Sequence, residues 1–402
     1  MPDTPGAQPG ADTRRALPAE VPVRVCLDAT AVPARPAGAG RYVLDLAAAL
    51  DERDDVKLTV ICRRGDEARW QSGPGDNLAL GRAPTRRPLR LAWEQLRLPA
   101  ILDRLPVDVH HGPHYTMPER ASLPQVVTVH DLSLLEHPSW HEPAKVAFFR
   151  RAIRVAAARA DAIVAVSAST AERLHALLAP RAPVHVIPHG VDLARFRPLD
   201  PDDVEGAVLD RAALRRIGAV QPYVAFVGTL EPRKDVPTLI RAFDRLAAGH
   251  RGLNLVLAGG RGWGIRAVEA AAEAAVHGHR VRMVGYISEE QKAALLRGAA
   301  AVAYPSLEEG FGLPALEALA CGAALVTSAG SPMAEVAGEA ALAVPPGNAG
   351  ALAWALERIL GDPATKERLR RQGPLMARPH TWERSARGHM DAYRLAMKGE
   401  GR

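Results

Sequence analysis

Short apolar segments rich in β-branched residues alternate along this chain with longer helix-patterned stretches, and this alternation constrains the fold most. Such near-continuous apolar runs are typical of strands that are buried on both faces of a parallel sheet. A first group lies at 23–28, 56–61, 107–111, 125–130, 162–166 and 184–187, and a second group at 223–228, 254–259, 281–285, 301–305, 323–328 and 340–346. The pattern predicts the α/β fold class with parallel sheets.

The two groups are separated by 189–208, where two prolines and several aspartates indicate a linker. We therefore predict two Rossmann-like domains whose parallel sheets face each other across a cleft, where strand-end loops collect ligands. The predicted divisions are a disordered tail without the features of a signal peptide (1–20), an N-terminal domain (21–195), a C-terminal domain (196–379) and a C-terminal helix (380–402).

Composition excludes several classes of protein. With 48% hydrophobic residues and a formal net charge of only +6, the chain as a whole is not disordered. No apolar run approaches the roughly 18 residues that a transmembrane helix needs. The cysteines, Cys26, Cys62 and Cys321, lie too far apart for a zinc ribbon or a disulfide framework, which favours a reducing cytoplasm. The surplus of arginine favours phosphate-bearing ligands or anionic lipid over nucleic acid.

The segment SLEEGFGLPALEALACG (306–322) follows a predicted strand and contains the strongest motif. Pro314 suits the start of a helix because it needs no amide donor there. Gly310 and Gly312, just before it, let the backbone approach a ligand closely. The free amides at the positive end of the helix dipole would form an anion site. The residues that would supply these amides are Phe311, Gly312 and Leu313.

Charged residues accompany this turn. Glu309 precedes it, and Glu317 lies eight positions later, in the predicted first helical turn, where a helix-capping role is the alternative. Arg233 and Lys234 follow another strand in VGTLEPRKD (227–235). A solvated surface pair is the alternative there, but on a loop that faces the cleft the two cations could clamp a diphosphate.

The first half of the chain has weaker motifs. Gly40 lies in a glycine-containing loop, RPAGAGRYVLDL (35–46), between the first strand and helix, where a simple tight turn is the alternative. His130, at a strand end in TVHDLS (128–133), could bind a hydroxyl, and a satisfied core histidine is the alternative. Further histidines lie in HHGPHYTMP (110–118), but their spacing matches no two-histidine signature and no acidic partner is close. We therefore predict no metal site.

Together these motifs resemble the retaining, nucleotide-sugar-dependent glycosyltransferases of group 1, which have the two-domain GT-B architecture. Within that group they look like mannosyltransferases of surface polysaccharide synthesis. The matching segments occur in family order over about residues 22–390 and include GAGRYVLDL, TVHDLS, VHVIPHGVDLARFRP, VGTLEPRKD and SLEEGFGLPALEALACG. The segment 380–396 resembles the family's last helix, which returns to the first domain.

The resemblance implies a role for each matching residue. Arg233 and Lys234 would neutralise the donor diphosphate, helped by the amides of Gly40 and of the Gly312–Leu313 turn. Glu309 would hold hydroxyls of the donor sugar, and Glu317 those of the ribose. His130 would bind a sugar hydroxyl and line the acceptor side. The backbone that would meet the base belongs to Gly285, Tyr286 and Ile287.

The implied reaction moves a hexose, mannose as first choice, from GDP-mannose or a UDP-sugar to a hydroxyl of a glycan or lipid-linked acceptor. The nucleotide sugar is a substrate, so no cofactor and no metal are implied. The chain departs from the family at 324–325 (Ala-Leu for Pro-Val) and 333–334 (Met-Ala for Leu-Pro), which leaves the donor open. A related phosphorylase or hydrolase and a non-catalytic sugar- or lipid-binding protein are the alternatives. A dehydrogenase is disfavoured because AGGRGWG (258–264) lacks the G-x-G-x-x-G spacing.

The segment RAPTRRPLRLAWEQLRLP (82–99) interleaves arginines with leucines. It could be a basic amphipathic helix that contacts anionic lipid at the inner face of the membrane. A surface helix whose apolar stripe packs on the first domain is the alternative, and we favour it. The cationic residues that would contact lipid are Arg86, Arg87 and Arg90.

Overall fold

The structure is a computed structural model that describes residues 21–71 and 78–399, so the predicted tail (1–20) lies outside the described residues. Within these ranges a first set of parallel strands forms one sheet, in the order β3-β2-β1-β4-β5-β6-β7. Its members are β1 (Val23–Asp28), β2 (Val56–Arg63), β3 (Leu78–Ala83), β4 (Val109–Gly112), β5 (Gln125–Val129), β6 (Ala162–Ala165) and β7 (Val184–Val186).

A second parallel sheet has the order β10-β9-β8-β11-β12-β13 in the described part of the chain. Its members are β8 (Tyr223–Val227), β9 (Asn254–Ala258), β10 (Val281–Gly285), β11 (Ala301–Tyr304), β12 (Leu325–Ser328) and β13 (Ala341–Val344). Every residue of β8, β9, β11 and β12 is buried, as expected for strands covered on both faces. Each half therefore has the Rossmann-like architecture that the apolar segments predict.

Helices connect the strands in both halves. Those of the first half are α1 (Ala39–Asp51), α2 (Arg87–Leu96), α3 (Leu98–Leu102), α4 (Ser133–Glu136), α5 (Pro143–Arg159) and α6 (Ala168–Leu178). Those that follow are α7 (Val204–Arg216), α8 (Val236–Ala247), α9 (Ile265–Ala274), α10 (Glu289–Gly298), α11 (Leu313–Ala320), α12 (Pro332–Ala337), α13 (Ala349–Gly361), α14 (Pro363–Ala377) and α15 (Trp382–Lys398). Side chains cap several of them, for example the reciprocal pair Ser288 and Gln291 at α10.

One strand was not predicted, and the end of the predicted linker lies too far along the chain. Strand β3 was missed because Gly81 and Arg82 interrupt its apolar pattern, which edge strands do not need to maintain. The predicted linker (189–208) ends in the first turn of α7, where Asp203 accepts a hydrogen bond from the amide of Gly206. An aspartate at this position is a helix N-cap and not a mark of irregular chain.

The last helix, α15, packs against α1, β4, β5 and β6 of the first sheet. A buried chain of hydrogen bonds fixes it there, since Tyr42 Oη lies 2.8 Å from His389 Nε2 and 2.9 Å from Thr128 Oγ1. His111 continues the chain from Thr128 to Tyr393 on α15. Burial lowers the pKa of both histidines, so the chain consists of neutral groups. The last described helix is thus tied to the first domain by buried hydrogen bonds.

Candidate active site

A cleft between the carboxyl ends of the two sheets receives side chains from both halves. This is where open α/β sheets bind ligands. The sequence-predicted site residues that line it are His130, Arg233, Lys234, Tyr286, Ile287, Glu309, Phe311, Gly312, Leu313 and Glu317. They come from loops that are far apart in sequence, so the fold brings the predicted motifs together in one pocket.

Gly40 is not part of this lining, and its predicted role needs correction. Its amide donates to the carbonyl of Ala37 at 3.0 Å as α1 begins, so it is not free to contact a diphosphate. Gly38 and Ala39 line the cleft instead. Gly38, with φ of 49°, needs glycine's conformational freedom at this turn.

Gly285 also lies outside the lining. Its carbonyl accepts the amide of Gly259 at 2.7 Å, and a register shift between β9 and β10 accompanies its φ of 75°. Tyr286 and Ile287, which follow it, do line the cleft. Of the backbone that the resemblance predicts to meet the base, only these two residues therefore line the cleft.

The start of α11 presents unpaired amides to the cleft. Gly312 precedes the helix with φ of 96°, and a Cβ there would lie 2.0 Å from Cγ of Met333. In the described part of the chain, no protein acceptor receives the N–H groups of Phe311, Gly312 or Leu313. Pro314 is the second residue of the helix, one position later than predicted. These amides and the helix dipole favour an anion at this point.

The buried Lys234 and Glu309 form an ion cluster with the half-buried Arg233 beside these amides. Arg233 Nη1 lies 2.8 Å from Glu309 Oε2, and Lys234 Nζ is hydrogen-bonded to Glu309 Oε1. Burial opposes ionisation of Glu309, but Lys234 and Arg233 outweigh it and lower its pKa to about 2. The two cations are therefore not the solvated surface pair that the sequence left open, and the carboxylate offsets part of their charge.

Glu317 sits at the fifth position of α11 and is 2% exposed, so it does not cap the helix. Its Oε1 accepts from Lys292 Nζ at 2.7 Å, while its buried Oε2 has no partner among the described residues. Burial raises its pKa to about 7, with Lys292 opposing and Glu289 adding to the shift. An unpartnered carboxylate oxygen in the cleft is suited to accept hydroxyl groups of a ligand.

His130 occupies the end of β5 on the opposite wall. Its Nε2 lies 2.8 Å from the carbonyl of Pro113, to which only an N–H can donate, and burial lowers its pKa. The ring is therefore neutral, with Nδ1 as an acceptor. The ring of Tyr42 meets it edge to face at 5.0 Å between centroids. His130 is thus both a satisfied buried histidine and a cleft residue.

Some cleft residues carry no local signal in the sequence. Lys292 lies on α10, and no local motif links it to Glu317, which is 25 positions away along the chain. Among the residues that the structure describes, no group of three or more His, Cys, Asp or Glu side chains is placed to hold a metal ion. In the same residues, no helix has the length and hydropathy needed to cross a bilayer.

Comparison with known proteins agrees with this geometry. The sequence profile described as Glycosyl transferases group 1 matches residues 213–376, and that of Glycosyltransferase Family 4 matches residues 36–195. O-antigen chain mannosyltransferase B of Escherichia coli is 29% identical over 288 residues, covering 71% of this chain and 74% of that protein. D-inositol 3-phosphate glycosyltransferase of Kribbella flavida is 30% identical over 357 residues, 81% of this chain and 80% of that protein.

Among solved structures, sucrose-phosphate synthase of Thermosynechococcus elongatus superposes with a TM-score of 0.75 at 23% identity. The match covers 92% of this chain and 98% of that one, which supports a shared GT-B fold of two Rossmann-like domains. The profiles together span both halves, and the relatives match over most of their own length. The chain therefore belongs to the group 1 glycosyltransferases.

Proposed function

We propose that this glycosyltransferase moves a hexose from a nucleoside diphosphate to a hydroxyl of a glycan or lipid-linked acceptor, with retention and without a metal ion. The observation that carries the proposal is the convergence of Arg233, Lys234 and Glu309 with the free amides at the start of α11. This arrangement offers fixed positive charge to a departing diphosphate, and such preorganised groups are often the largest contribution to catalysis.

The proposed chemistry breaks the bond between the sugar C1 and the diphosphate oxygen and forms a bond from C1 to the acceptor oxygen on the same face. The proton of the acceptor hydroxyl passes to the departing diphosphate oxygen. Arg233 and Lys234 stabilise the negative charge that develops on the diphosphate, while Glu309 orients both cations. Nδ1 of His130 accepts a hydrogen bond from a hydroxyl of the transferred sugar.

GDP-mannose is our first choice of donor and a UDP-sugar the second. The likeness to an O-antigen chain mannosyltransferase favours mannose. A panel of GDP- and UDP-sugars, tested by calorimetry and by slow donor hydrolysis, decides between them. Binding of no nucleotide sugar in that panel would contradict the proposed function.

Glu317 makes donor binding pH-dependent if its free oxygen accepts the ribose hydroxyls. With a pKa of about 7, the carboxylate is mainly protonated at pH 6 and mainly ionised at pH 8. We expect the nucleotide to bind about 10-fold more weakly at pH 6 than at pH 8, measured by calorimetry. Glu317→Gln should bind weakly at both values, because its amide has lost the charge. Equal pH dependence in this variant would assign the effect to another group.

Peripheral contact with anionic lipid at the inner face of the membrane is the second part of the proposal, and α2 carries it. The packed apolar stripe that we favoured from the sequence is present only in part. Trp93 and Leu98 pack on the first domain, whereas Leu89 and Leu96 are 56% and 71% exposed. Arg90, predicted to contact lipid, is buried beside Glu94 at 3.4 Å and hydrogen-bonded to Thr30. On α2, Arg90 and Glu94 are therefore buried while Leu89 and Leu96 face solvent.

Exposed leucines flanked by the exposed Arg86 and Arg87 suit an anionic surface. We expect Arg86→Gln/Arg87→Gln to weaken binding to phosphatidylglycerol vesicles about 10-fold or more at low salt, measured by cosedimentation. Leu89→Ser/Leu96→Ser should weaken it as well. Leu375→Ser, an equally exposed leucine on α14, is the matched control and should leave binding unchanged. Absence of vesicle binding by the unmodified protein at low salt would contradict this part.

A further inference from the structure

The wall of the cleft that belongs to the first domain contains a polar group that neither the motifs nor the donor chemistry uses. Asp131 lines the cleft beside His130, and its Oδ1 accepts hydrogen bonds from the amide of Ser133 at 3.1 Å and from its hydroxyl at 2.7 Å. The hydroxyl of Tyr115 accepts the amide N–H of Asp131 at 3.1 Å and is also hydrogen-bonded to its side chain, but a carboxylate has about four acceptor positions, so some of them stay open to a ligand. Burial opposes ionisation of Asp131, but Arg233 and Ser133 outweigh it and lower the pKa. A fixed anionic acceptor therefore faces the cleft.

His141 extends this group. Because the single hydroxyl proton of Ser133 goes to Asp131, Ser133 Oγ accepts from Nε2 of His141 at 2.8 Å. Burial lowers the pKa of His141, so the ring is neutral and its Nδ1 is an acceptor. The orientations of the Asp131 carboxylate and of the His141 ring are thus set by contacts within the first domain, before any ligand binds.

Lys145, near the start of α5, lines the same wall and forms no hydrogen bond or ion pair within the described residues. The other histidines of the wall, His114 and His189, are also neutral, because burial lowers the pKa of both. Asp131 and Lys145 therefore bring one negative and one positive charge to this wall, and Arg41, the other cation that the first domain contributes to the lining, is paired with Asp45. Across the cleft, Glu231 is already paired with Arg233 at 2.7 Å.

Two acceptors, one cationic donor and the aromatic rings of Tyr115 and Phe149 make a wall suited to a sugar ring. We propose that Asp131, His141 and Lys145 form the acceptor subsite, and that it takes an uncharged hexosyl group of a glycan. Asp131 accepts a hydrogen bond from a hydroxyl of the acceptor sugar that neighbours the attacking hydroxyl. A phosphate placed there would be repelled by the fixed negative charge of the carboxylate. This inference rests on the proposed function and names the acceptor class of the same cleft.

The test uses the whole chain with its donor subsite filled by GDP-2-deoxy-2-fluoro-mannose. Methyl α-D-mannopyranoside and D-myo-inositol 3-phosphate are titrated separately by ligand-observed NMR. We expect the mannoside to bind at least 10-fold more tightly than the inositol phosphate. Asp131→Asn should weaken binding of the mannoside about 10-fold, as expected for loss of a hydrogen bond to a charged group. It should also reduce the preference for the mannoside over the inositol phosphate.

Lys145→Gln tests the subsite at a partly exposed position, where the substitution does not endanger folding. It should weaken binding of the mannoside several-fold. Arg151→Gln, on the same helix and 66% exposed, is the matched control and should leave binding unchanged. Inositol phosphate binding as tight as that of the mannoside, or unchanged mannoside binding in both variants, would overturn the inference. The same titrations without nucleotide decide it even if GDP-2-deoxy-2-fluoro-mannose fails to bind, a failure that counts against the proposed donor alone.

Discussion

Lys234→Met should lower kcat for donor consumption about 10²–10³-fold, the usual cost of removing one preorganised group that stabilises a developing anion. Lys234 is 8% exposed and shares Glu309 with Arg233, so its charge acts in a poorly solvated site. The variant keeps Arg233 beside the carboxylate and should therefore remain folded. Initial rates of nucleotide release, with circular dichroism as a check on folding, measure the effect.

Lys57→Met is the matched control, because Lys57 is an exposed lysine on β2 away from the cleft. Its rate should equal that of the unmodified protein. A Lys234→Met rate within a few-fold of the control would contradict the assignment of the diphosphate site.

Glu309→Gln differs from Lys234→Met because it leaves the buried ammonium of Lys234 without a carboxylate, while Arg233 keeps its ion pair with Glu231. It should lose activity and also lower the free energy of unfolding by about 3–5 kcal/mol. The pKa of Glu309 is lowered to about 2 in the folded protein. Its ion pairs therefore stabilise the fold fully above the ordinary pKa of a glutamate, and this stabilisation is lost as the pH falls from that value to about 2. Denaturant unfolding at pH 7 measures the loss, which Lys234→Met/Glu309→Gln should largely recover without recovering activity.

Gly310→Ala should reduce kcat about 10²-fold by forcing the two domains apart. A Cβ on Gly310 would lie 1.5 Å from the carbonyl oxygen of His130, on the opposite side of the cleft. Thr170 of the first domain also donates to the carbonyl of Gly310 at 3.2 Å, so the contact is part of the closed arrangement. Displacement of reacting groups by about 1 Å is enough for such a loss.

Binding of the nucleotide should change little in Gly310→Ala, because the cations and the amides of α11 belong to the second domain. Gly249→Ala makes the same chemical change at an exposed position whose nearest atom lies 3.8 Å away, and it should be neutral. Full activity in Gly310→Ala would show that the closed contact with His130 is not needed for transfer.

Strand positions and the main motifs were predictable because their signals are local. The predicted bounds of β1 and β10 agree with the structure, since apolar runs end where the chain leaves the sheet. Gly40 was assigned in place of Gly38 because two glycines in one loop cannot be distinguished by pattern. The exposure of Leu89 and Leu96 was also unpredictable. It follows from the burial of Arg90 against Glu94, and a local pattern does not show which polar residues pair in the interior.

The alternation of apolar segments and helices decided by itself that the chain forms two parallel sheets with ligand-facing loops at their carboxyl ends. Each strand carries that information in its own few residues, because a strand that is covered on both faces needs apolar side chains on both faces. Only the tertiary structure decided which groups meet: Glu309 with both cations, Lys292 with Glu317, and Gly310 with His130. Those contacts depend on packing between segments far apart in sequence, which no local pattern encodes.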